Sequence, residues 1–320
     1  VGYVVCGLFL SENDALLRLV MNSVRTDLLS RNEAFQCLAL EFTANVGGAE
    51  FAQLLAADVL SVVAHGDTRP LVRKKAAFCL LRLVRKSSDE SIFVSDDWGQ
   101  RIATFLEDND IGVLLGLTSL LIGIVSKNYR GYEPCVPKLV EILERLRERD
   151  VPQHYMYYGI PTPWLQVKIL RALQYFPAPE DPAVLKSLKA AIREILSGND
   201  PVKNPNKNNA VHAIVFEAAA TAVSIDDEEL MVLVVGLMIR FLAVRDANLR
   251  YLALENLGRL SQPRQIARAI AKHRTTIIAC LTDPDSAIAR GALNLLFTTA
   301  NKETGPDIVD ELLSLIERTD

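Results

Sequence analysis

The sequence has few cysteines and no closely spaced pair of them. The five are an odd number, lie 31 or more residues apart and form no C-x-x-C motif: Cys6, Cys37, Cys79, Cys135 and Cys280. This pattern predicts a reducing compartment, most simply the cytosol, because nothing in it resembles a disulfide framework. We expect the thiols to act as small buried hydrophobic groups.

An excess of one charge and a membrane-length apolar segment are also lacking. Lys and Arg total 35 against 39 Asp and Glu, so the formal net charge is -4 and gives no overall positive field for nucleic acid. The uncharged stretch Ile111 to Ser126 has 16 residues, fewer than the roughly 20 that span a bilayer. We predict no transmembrane helix.

The first ten residues are apolar without a basic segment, so we interpret the chain as a fragment beginning within a helix.

Signatures of common catalysts are absent as well. The sequence has no G-x-x-x-x-G-K-[ST], G-x-S-x-G or H-E-x-x-H motif and no Gly-rich dinucleotide turn. Its four histidines, His65, His154, His212 and His273, have no second ligand at metal spacing. We therefore predict no catalytic residue, no metal site and no cofactor, and we class the protein as non-enzymatic.

The chain does contain helical spacing of apolar residues along nearly its whole length. One unit recurs, in which an apolar helix and a short polar turn precede a second helix with apolar residues at i, i+4 and i+8. The second helices start near positions 35, 72, 113, 167, 211, 249 and 288, and repeats of the HEAT/armadillo type have periods of about 40 to 47 residues. We predict an all-α fold, a right-handed α-solenoid of about seven or eight helix pairs forming a single trunk domain over residues 1–320.

Two segments interrupt this period. Residues 147–164 contain three prolines, one glycine and four aromatic residues, which predicts an ordered extended crossing anchored by its rings. A stacking platform for single-stranded nucleic acid is the alternative role of these rings, but the acidic balance argues against it. Residues 197–209 are polar, with several Asn and Pro, and predict a mobile surface loop.

One helix carries an unusual run of positive charge. Between Asp67 and Asp89 there are seven basic residues and no acid, and an ideal helix places three of them within about 40° of one another with two more alongside. We predict contact with phosphoinositide headgroups or an acidic partner at these five residues: Lys74, Lys75, Arg82, Arg85 and Lys86. The alternative is an ordinary solvated helix face.

Two acidic clusters need a separate explanation. Residues 226–229 (DDEE) directly precede an apolar stretch, and Asp283-Pro284-Asp285 lacks the glycine and glutamate of a calcium loop. We predict that both clusters mark the starts of helices, where negative charge is favourable.

Several motifs resemble one family in particular. Tyr157-Tyr158, Pro163-Trp164-Leu165 and Pro177 to Val184 (PAPEDPAV) resemble the alpha-adaptins, the large alpha chains of the plasma-membrane clathrin adaptor complex. Asn248 to Glu255 (NLRYLALE) is similar to a segment shared by several adaptor large chains. The resemblance spans essentially the whole chain and corresponds to a fragment of the family's N-terminal trunk.

The resemblance implies a scaffold that binds the adaptor sigma, beta and mu chains. Such a trunk helps to couple cargo and phosphoinositide membrane to clathrin in endocytosis and intracellular protein transport. It would be cytoplasmic and peripheral on the cytosolic face of the plasma membrane at clathrin-coated pits. The family's principal lipid-binding cluster and its contribution to the dileucine cargo site have no matching positions here, so neither is carried over.

Two other interpretations stay open at this point. One is the corresponding trunk of the gamma-type large chain from the Golgi and endosomal adaptor. The other is an unrelated HEAT-repeat transport receptor that binds a peptide in its groove. A receptor of that kind predicts regularly spaced Trp and Asn, or acidic residues, on successive second helices, and with Trp98 and Trp164 as the only tryptophans no such ladder is visible.

Overall fold

The computed structural model of the chain describes residues 1–87, 96–148, 151–198, 204–261, 264–300, 302 and 305–319. Within these residues the chain forms 17 α-helices, two short 3-10 helices and one antiparallel pair of two-residue strands. The prediction of an all-α fold is therefore confirmed, and the handedness of the solenoid stays a prediction.

The chain consists of two compact units, Val1–Val184 and Leu185–Asp320. The helices that begin in the first unit are α1 (Gly2–Phe9), α2 (Leu17–Leu28), α3 (Glu33–Val46), α4 (Ala49–Ala64), α5 (Pro70–Lys86), α6 (Asp96–Phe105), α7 (Ile111–Val125), α8 (Cys135–Arg147), α9 (Pro163–Leu173) and α10 (Pro182–Ser197). Those that begin in the second unit are α11 (Pro205–Ile225), α12 (Glu228–Leu242), α13 (Ala247–Leu260), α14 (Arg264–Ala271), α15 (Arg274–Ala279), α16 (Ser286–Thr299) and α17 (Gly305–Thr319).

The predicted repeat matches the order of the helices. The seven starting positions fall on seven different helices, namely α3, α5, α7, α9, α11, α13 and α16. In the first unit α5 packs against α3 and α7, and α7 packs against α9; in the second unit α13 packs against α11 and α16. Stacking of this kind buries apolar faces that a single helix pair would leave exposed to water.

The three clearest copies of the repeat are buried as predicted. Their apolar triplets are all at most 9% exposed: Val72, Ala76, Leu80; Leu249, Ala253, Leu257; and Ile288, Ala292, Leu296. One of the weaker copies is displaced, because Phe35 is 50% exposed although Ala39 and Thr43, one and two turns later on α3, are buried. An apolar residue at helical spacing therefore does not have to face the core, and here it remains on the surface.

Polar caps set where most of the second helices begin. The side chain of Asp110 accepts a hydrogen bond from the Val113 backbone N–H, and Asp246 and Asp285 cap α13 and α16 in the same manner. Asp227 accepts from the Leu230 N–H at the start of α12, so both acidic clusters begin helices as predicted. The exceptions are α5 and α9, whose cap positions Arg69 and Thr162 have no capping side-chain hydrogen bond, and which start with Pro70 and Pro163.

Ion pairs join residues about one repeat apart. Within the described residues, nine ion pairs link side chains whose positions differ by 31 to 38 residues. The two least exposed of these pairs are Arg73 with Asp108 and Arg250 with Asp283. Each Arg lies three residues after the first residue of its helix, and each Asp lies three residues before the next second helix. Each pair therefore connects one second helix to the turn that precedes the next second helix of the repeat.

The predicted crossing contains a compact hairpin. Residues 149–150 lie outside the described residues; beyond them come a 3-10 helix at Gln153–Tyr155 and two strands, Met156–Tyr157 and Ile160–Pro161. The two-residue turn between the strands has φ values of 49° at Tyr158 and 79° at Gly159. Positive φ at both turn positions is the type I′ geometry that matches strand twist. The crossing is thus folded back on itself, which the prediction of an extended segment missed.

The predicted loop at 197–209 is shorter than expected. Ser197 is the last residue of α10, and Pro205 begins α11 behind an Asn204 cap that accepts from the Asn206 and Lys207 N–H groups. Prolines and asparagines suggested a loop because both favour turns, but Pro at the first helical position and Asn at the cap also start helices. Residues 199–203 lie outside the described residues.

Among the residues that are described, the structure contains no helix of the length and apolarity needed to cross a bilayer.

The thiols provide a test of this packing. Cys79, Cys135 and Cys280 are buried, whereas Cys6 and Cys37 are partly accessible and none of the five is in a disulfide. Burial raises the pKa of the Cys135 thiol to about 12, so its reactive thiolate is scarce at neutral pH. We expect two thiols to react with an aromatic disulfide reagent in the native protein and five after unfolding. Rapid reaction of more than two thiols under native conditions would contradict the placement of the three buried cysteines.

Candidate functional site

The five basic residues predicted as a contact site on α5, which we call the α5 stripe, differ in their ion pairs. Lys75 Nζ lies 2.8 Å from a Glu41 carboxylate oxygen on α3. Arg82 and Lys86 both bind Glu12, with nitrogen to oxygen distances of 2.9 Å and 2.8 Å. The hydrogen bond from Lys86 and the charges of both cations hold the pKa of the Glu12 carboxyl below its usual range. Three of the five predicted contact residues are therefore occupied by acids of the same chain.

The other two predicted residues lie apart from these three. The aliphatic stem of Lys74 lies against α7, where its Cδ is 3.5 Å from the position of a Cβ on Gly112. Arg85 is exposed near the end of α5. Neither side chain forms an ion pair within the described part of the chain. Lys75, Arg82 and Lys86 thus share one face of α5, as the helical spacing predicts. Each of them is paired with an acid of the same chain.

Sequence spacing could have revealed one of these two partners, Glu41, but not Glu12. Glu12 precedes Arg82 by 70 residues and Lys86 by 74, more than a repeat period, and it lies in the turn between α1 and α2. Glu41 is 34 residues before Lys75. The repeat period of about 40 residues could have identified Glu41. Nothing local to either segment identifies Glu12.

An exposed apolar patch surrounds the Lys75–Glu41 ion pair. Leu71 and Phe78 lie one turn to either side of Lys75 on α5, and Leu38 lies one turn before Glu41 on α3. All three are exposed, as is Phe35 one turn before Leu38. We call these four residues, Phe35, Leu38, Leu71 and Phe78, the α3–α5 patch. Exposed apolar groups clustered around a charged pair are typical of a protein interaction surface.

A second surface runs along α9. Trp164, Lys168, Arg171 and Tyr175 follow one another at intervals of 4, 3 and 4 residues, so they share one face of the helix and its C-terminal turn. Trp164 is 58% exposed and Tyr175 is also exposed. We call these four residues the α9 row. It places two cations between two aromatic side chains.

The aromatic rings of the crossing differ in their surroundings: Tyr155 lies against Gly112 of α7, whereas Tyr158 and Trp164 are exposed. The Tyr157 ring contacts Trp164 and Tyr158 edge to face, with centroid distances of 4.8 Å and 4.7 Å. Tyr158 is 48% exposed. The prediction that these rings anchor the crossing is therefore corrected for Tyr158 and Trp164: Tyr157 supports Trp164 from one side, and Trp164 presents its outer face to solvent. This arrangement fixes the start of the α9 row.

The cations of the α9 row are close enough to repel each other. Burial lowers the pKa of the Lys168 ammonium, and the positive charges of Arg171 and of Arg85 from α5 lower it further. Nearby, Lys127 Nζ donates a hydrogen bond of 3.2 Å to the Val84 carbonyl oxygen, which places a further cation beside Arg85. Like charges gathered in this way are stabilised by an incoming anion.

The cavities of the described residues do not resemble a catalytic centre. Two of them have volumes of about 750 and 730 Å³ and lie at the α10 and α12 ends and at the turns around α2 to α5, respectively. The second is lined by Ser61 and His65, but Ser61 Oγ donates to the Asp58 carbonyl oxygen and His65 Nδ1 contacts the Ser61 carbonyl oxygen, so these bonds do not pair the two side chains as nucleophile and base. Among the described residues there is also no group of three His, Cys, Asp or Glu able to hold a metal ion.

Comparison with known proteins relates the chain to one family over its whole length. The family model described as "Adaptin N terminal region" matches residues 1–320. The chain is 50% identical over 318 residues to the AP-2 complex subunit alpha-1 of Arabidopsis thaliana, covering 99% of this chain and 31% of that relative. It is 30% identical over 320 residues to the AP-1 complex subunit gamma of Dictyostelium discoideum, covering 99% of this chain and 34% of that relative.

A structural comparison gives the same fold. A homology model of the full-length AP-3 complex in an intermediate open conformation superposes with a TM-score of 0.64 at 19% sequence identity, covering 98% of this chain and 50% of that chain. At this identity the similarity supports the fold alone. The chain spans about a third of the length of the two sequence relatives.

Proposed function

The chain belongs to the adaptin N-terminal region family, and from that premise we propose that it works as a trunk segment of an alpha-type adaptor large chain. The resemblance to alpha-adaptins inferred from the motifs is confirmed by 50% identity to an AP-2 alpha subunit over 99% of the chain. The adaptin family comprises non-enzymatic adaptor subunits. The proposed activity is therefore binding through broad surfaces, as the exposed α3–α5 patch suggests.

The partners that we propose are the sigma, beta and mu chains of an adaptor complex. The α3–α5 patch supports this proposal, since four exposed apolar side chains around an ion pair need a protein surface to cover them. Through these chains the trunk would help to couple cargo and phosphoinositide membrane to clathrin. We place it on the cytosolic face of the plasma membrane at clathrin-coated pits, peripheral to the bilayer.

Three sequence predictions remain proposals. The continuous trunk over residues 1–320 and the absence of a nucleic-acid partner rest on the repeat pattern and on the charge balance. Phosphoinositide contact at the α5 stripe would have to compete with Glu12 and Glu41, which already bind three of its five cations. A gamma-type trunk is the alternative assignment; the 30% identity to a gamma subunit, against 50% to an alpha subunit, favours the alpha type.

Coexpression tests the proposed assembly. We expect the 320-residue chain to copurify with the sigma chain of a plasma-membrane adaptor, because matching trunk and sigma surfaces would bury the α3–α5 patch. Paired Leu71→Glu and Phe78→Glu substitutions should abolish recovery, whereas the same change at Phe297, exposed on α16, serves as the control. Copurification with a gamma-type sigma chain alone would favour the alternative, and failure with every adaptor sigma chain would contradict the proposal.

A further inference from the structure

A groove lies between α13 and α16 in the second unit, where these two second helices of the repeat pack on each other. Its volume is about 320 Å³, at the small end of the range for ligand sites. The α13 wall is open at Gly258, because no atom lies within 4 Å of a Cβ position there. We call it the α13–α16 groove and define it by six of the residues that line it: Tyr251, Glu255, Gly258, Arg290, Gly291 and Asn294.

Two polar side chains of the α16 wall are available to a ligand. Arg290 and Asn294 lie one turn apart on α16 and both are exposed. Within the described part of the chain, neither side chain forms an ion pair or a side-chain hydrogen bond. On the α13 wall, by contrast, Glu255 already pairs with Arg259, at a nitrogen to oxygen distance of 2.6 Å. Of the two charged residues that line the groove, Arg290 is therefore the one whose charge the described chain leaves unbalanced.

We propose that the α13–α16 groove is a docking site for an extended segment of a partner protein that carries an acidic side chain. The carboxylate of the segment binds the Arg290 guanidinium through charge-assisted hydrogen bonds. The Asn294 carboxamide both donates and accepts, so it pairs with a backbone N–H and C=O of the segment. An apolar side chain of the segment packs on the ring of Tyr251, which is 47% exposed. The groove shares no residue with the α3–α5 patch, and this binding goes beyond the proposed adaptor assembly.

The dimensions of the groove favour an extended segment over a helix. Beneath the groove α13 and α16 are in close contact, since a Cβ on Gly291 would lie 3.5 Å from Leu254 Cδ1. Packed helices have axes about 8 to 10 Å apart, whereas a helix with its side chains is about 10 to 12 Å across. A third helix would therefore rest on the rims. The α16 wall runs from Ala287 to Thr298, about 16 Å along the helix axis, which an extended chain of about five residues spans.

The charge of the groove favours a single carboxylate over a polyanion. Nucleic acids and anionic membranes are bound through several basic side chains at once. The groove offers Arg290 alone, and Glu255 on the opposite wall would repel a second anionic group. A peptide with one acidic side chain among neutral residues therefore matches these charges.

Peptide arrays probed with the purified 320-residue chain test this site without any other adaptor chain. The probes are synthetic peptides of about seven residues, slightly longer than the groove, in sets that share flanking sequences and differ only in the central residue, which is Glu, Ala or Lys. We expect selective retention on peptides with central Glu, and less retention when salt is added. Because no sigma chain is present, failure of this test is distinguishable from failure of the proposed adaptor assembly.

Filling the groove shows whether the peptides bind in it. Gly258→Leu should weaken binding of a retained Glu peptide about tenfold or more, because the new side chain occupies space that the segment needs. The matched control is Gly236→Leu, at an exposed glycine inside α12 that likewise has no atom within 4 Å of its Cβ position. The control should bind the peptide with unchanged affinity, and melting curves check that both variants are folded.

Charge reversal identifies the residue that selects the peptide. Arg290→Glu, at an exposed position, should transfer the preference from peptides with central Glu to those with central Lys, which a loss of structure would not do. Asn294→Ala should weaken binding whatever the central residue is. The proposal is overturned if the wild-type chain retains the three peptide sets equally or not at all, if Gly258→Leu and Gly236→Leu bind alike, or if Arg290→Glu still prefers Glu.

Discussion

Gly99→Ala should lower the free energy of unfolding by about 3 kcal/mol, at the upper end of the cost of overpacking a core. Gly99 lies on α6, and a Cβ atom at this position would be 1.7 Å from the Gly131 carbonyl oxygen. The obstacle is backbone, so no side-chain rotation can relieve it. Gly131 has φ of +86°, which holds the turn before α8 in a conformation that other residues rarely adopt. Chemical denaturation of the two proteins measures the difference.

Gly236→Ala is the matched control for this substitution. Gly236 lies in the interior of α12, it is exposed, and no atom lies within 4 Å of its Cβ position. The same change should therefore stabilise the protein by about 0.5 to 1 kcal/mol, because alanine favours helix more than glycine does. The change in the free energy of unfolding should therefore have opposite signs at the two sites. Equal effects would mean that α6 and the turn at Gly131 are not in contact.

Arg250→Met should destabilise the second unit by about 3 kcal/mol, because it leaves Asp283 without its cation. Arg250 Nε lies 2.8 Å from Asp283 Oδ2, and the two side chains are 16% and 9% exposed. The same guanidinium donates to the carbonyl oxygens of Val244 and Arg245. A hydrogen bond from the Asp285 backbone N–H and the Arg250 guanidinium hold the pKa of the Asp283 carboxyl low, so it remains charged near neutral pH.

Arg259→Met separates this effect from simple loss of charge. Arg259 pairs with Glu255 one turn earlier on the same helix, and both side chains are largely exposed. Exposed pairs of this kind contribute about 0.5 kcal/mol or less. Thermal and urea unfolding should therefore distinguish the two variants clearly. A small loss in Arg250→Met, similar to that of the control, would show that pairing between layers contributes little to stability.

The repeat could be predicted from the sequence because its signal is periodic. Ala76, Ala253 and Ala292 occupy equivalent places on three second helices, and each is fully buried. Burial at i, i+4 and i+8 follows from helical geometry alone. The acidic clusters could also be assigned, since Asp227 and Asp285 directly precede apolar helices and a cap needs only local sequence.

The contact surfaces could not be predicted, because their partners are distant in the chain. Lys75 and Arg82 looked free on a helical projection, yet Glu41 and Glu12 reach them from other helices and turns. Phe35 fitted the repeat but is exposed, since one apolar position on a helix can serve either the core or a surface. The α9 row did have a sequence signal: the acid-free stretch that contains Lys168 and Arg171.

We propose that this chain works by presenting exposed side chains to other adaptor chains. Hydroxyl-radical footprinting by mass spectrometry tests it most directly, by comparing the isolated chain with its complex with sigma, beta and mu chains. We expect Phe35 and Phe78, exposed in the isolated chain, to become protected in the complex, while buried Phe51 stays unreactive in both. Unchanged oxidation of Phe35 and Phe78 after assembly would contradict it.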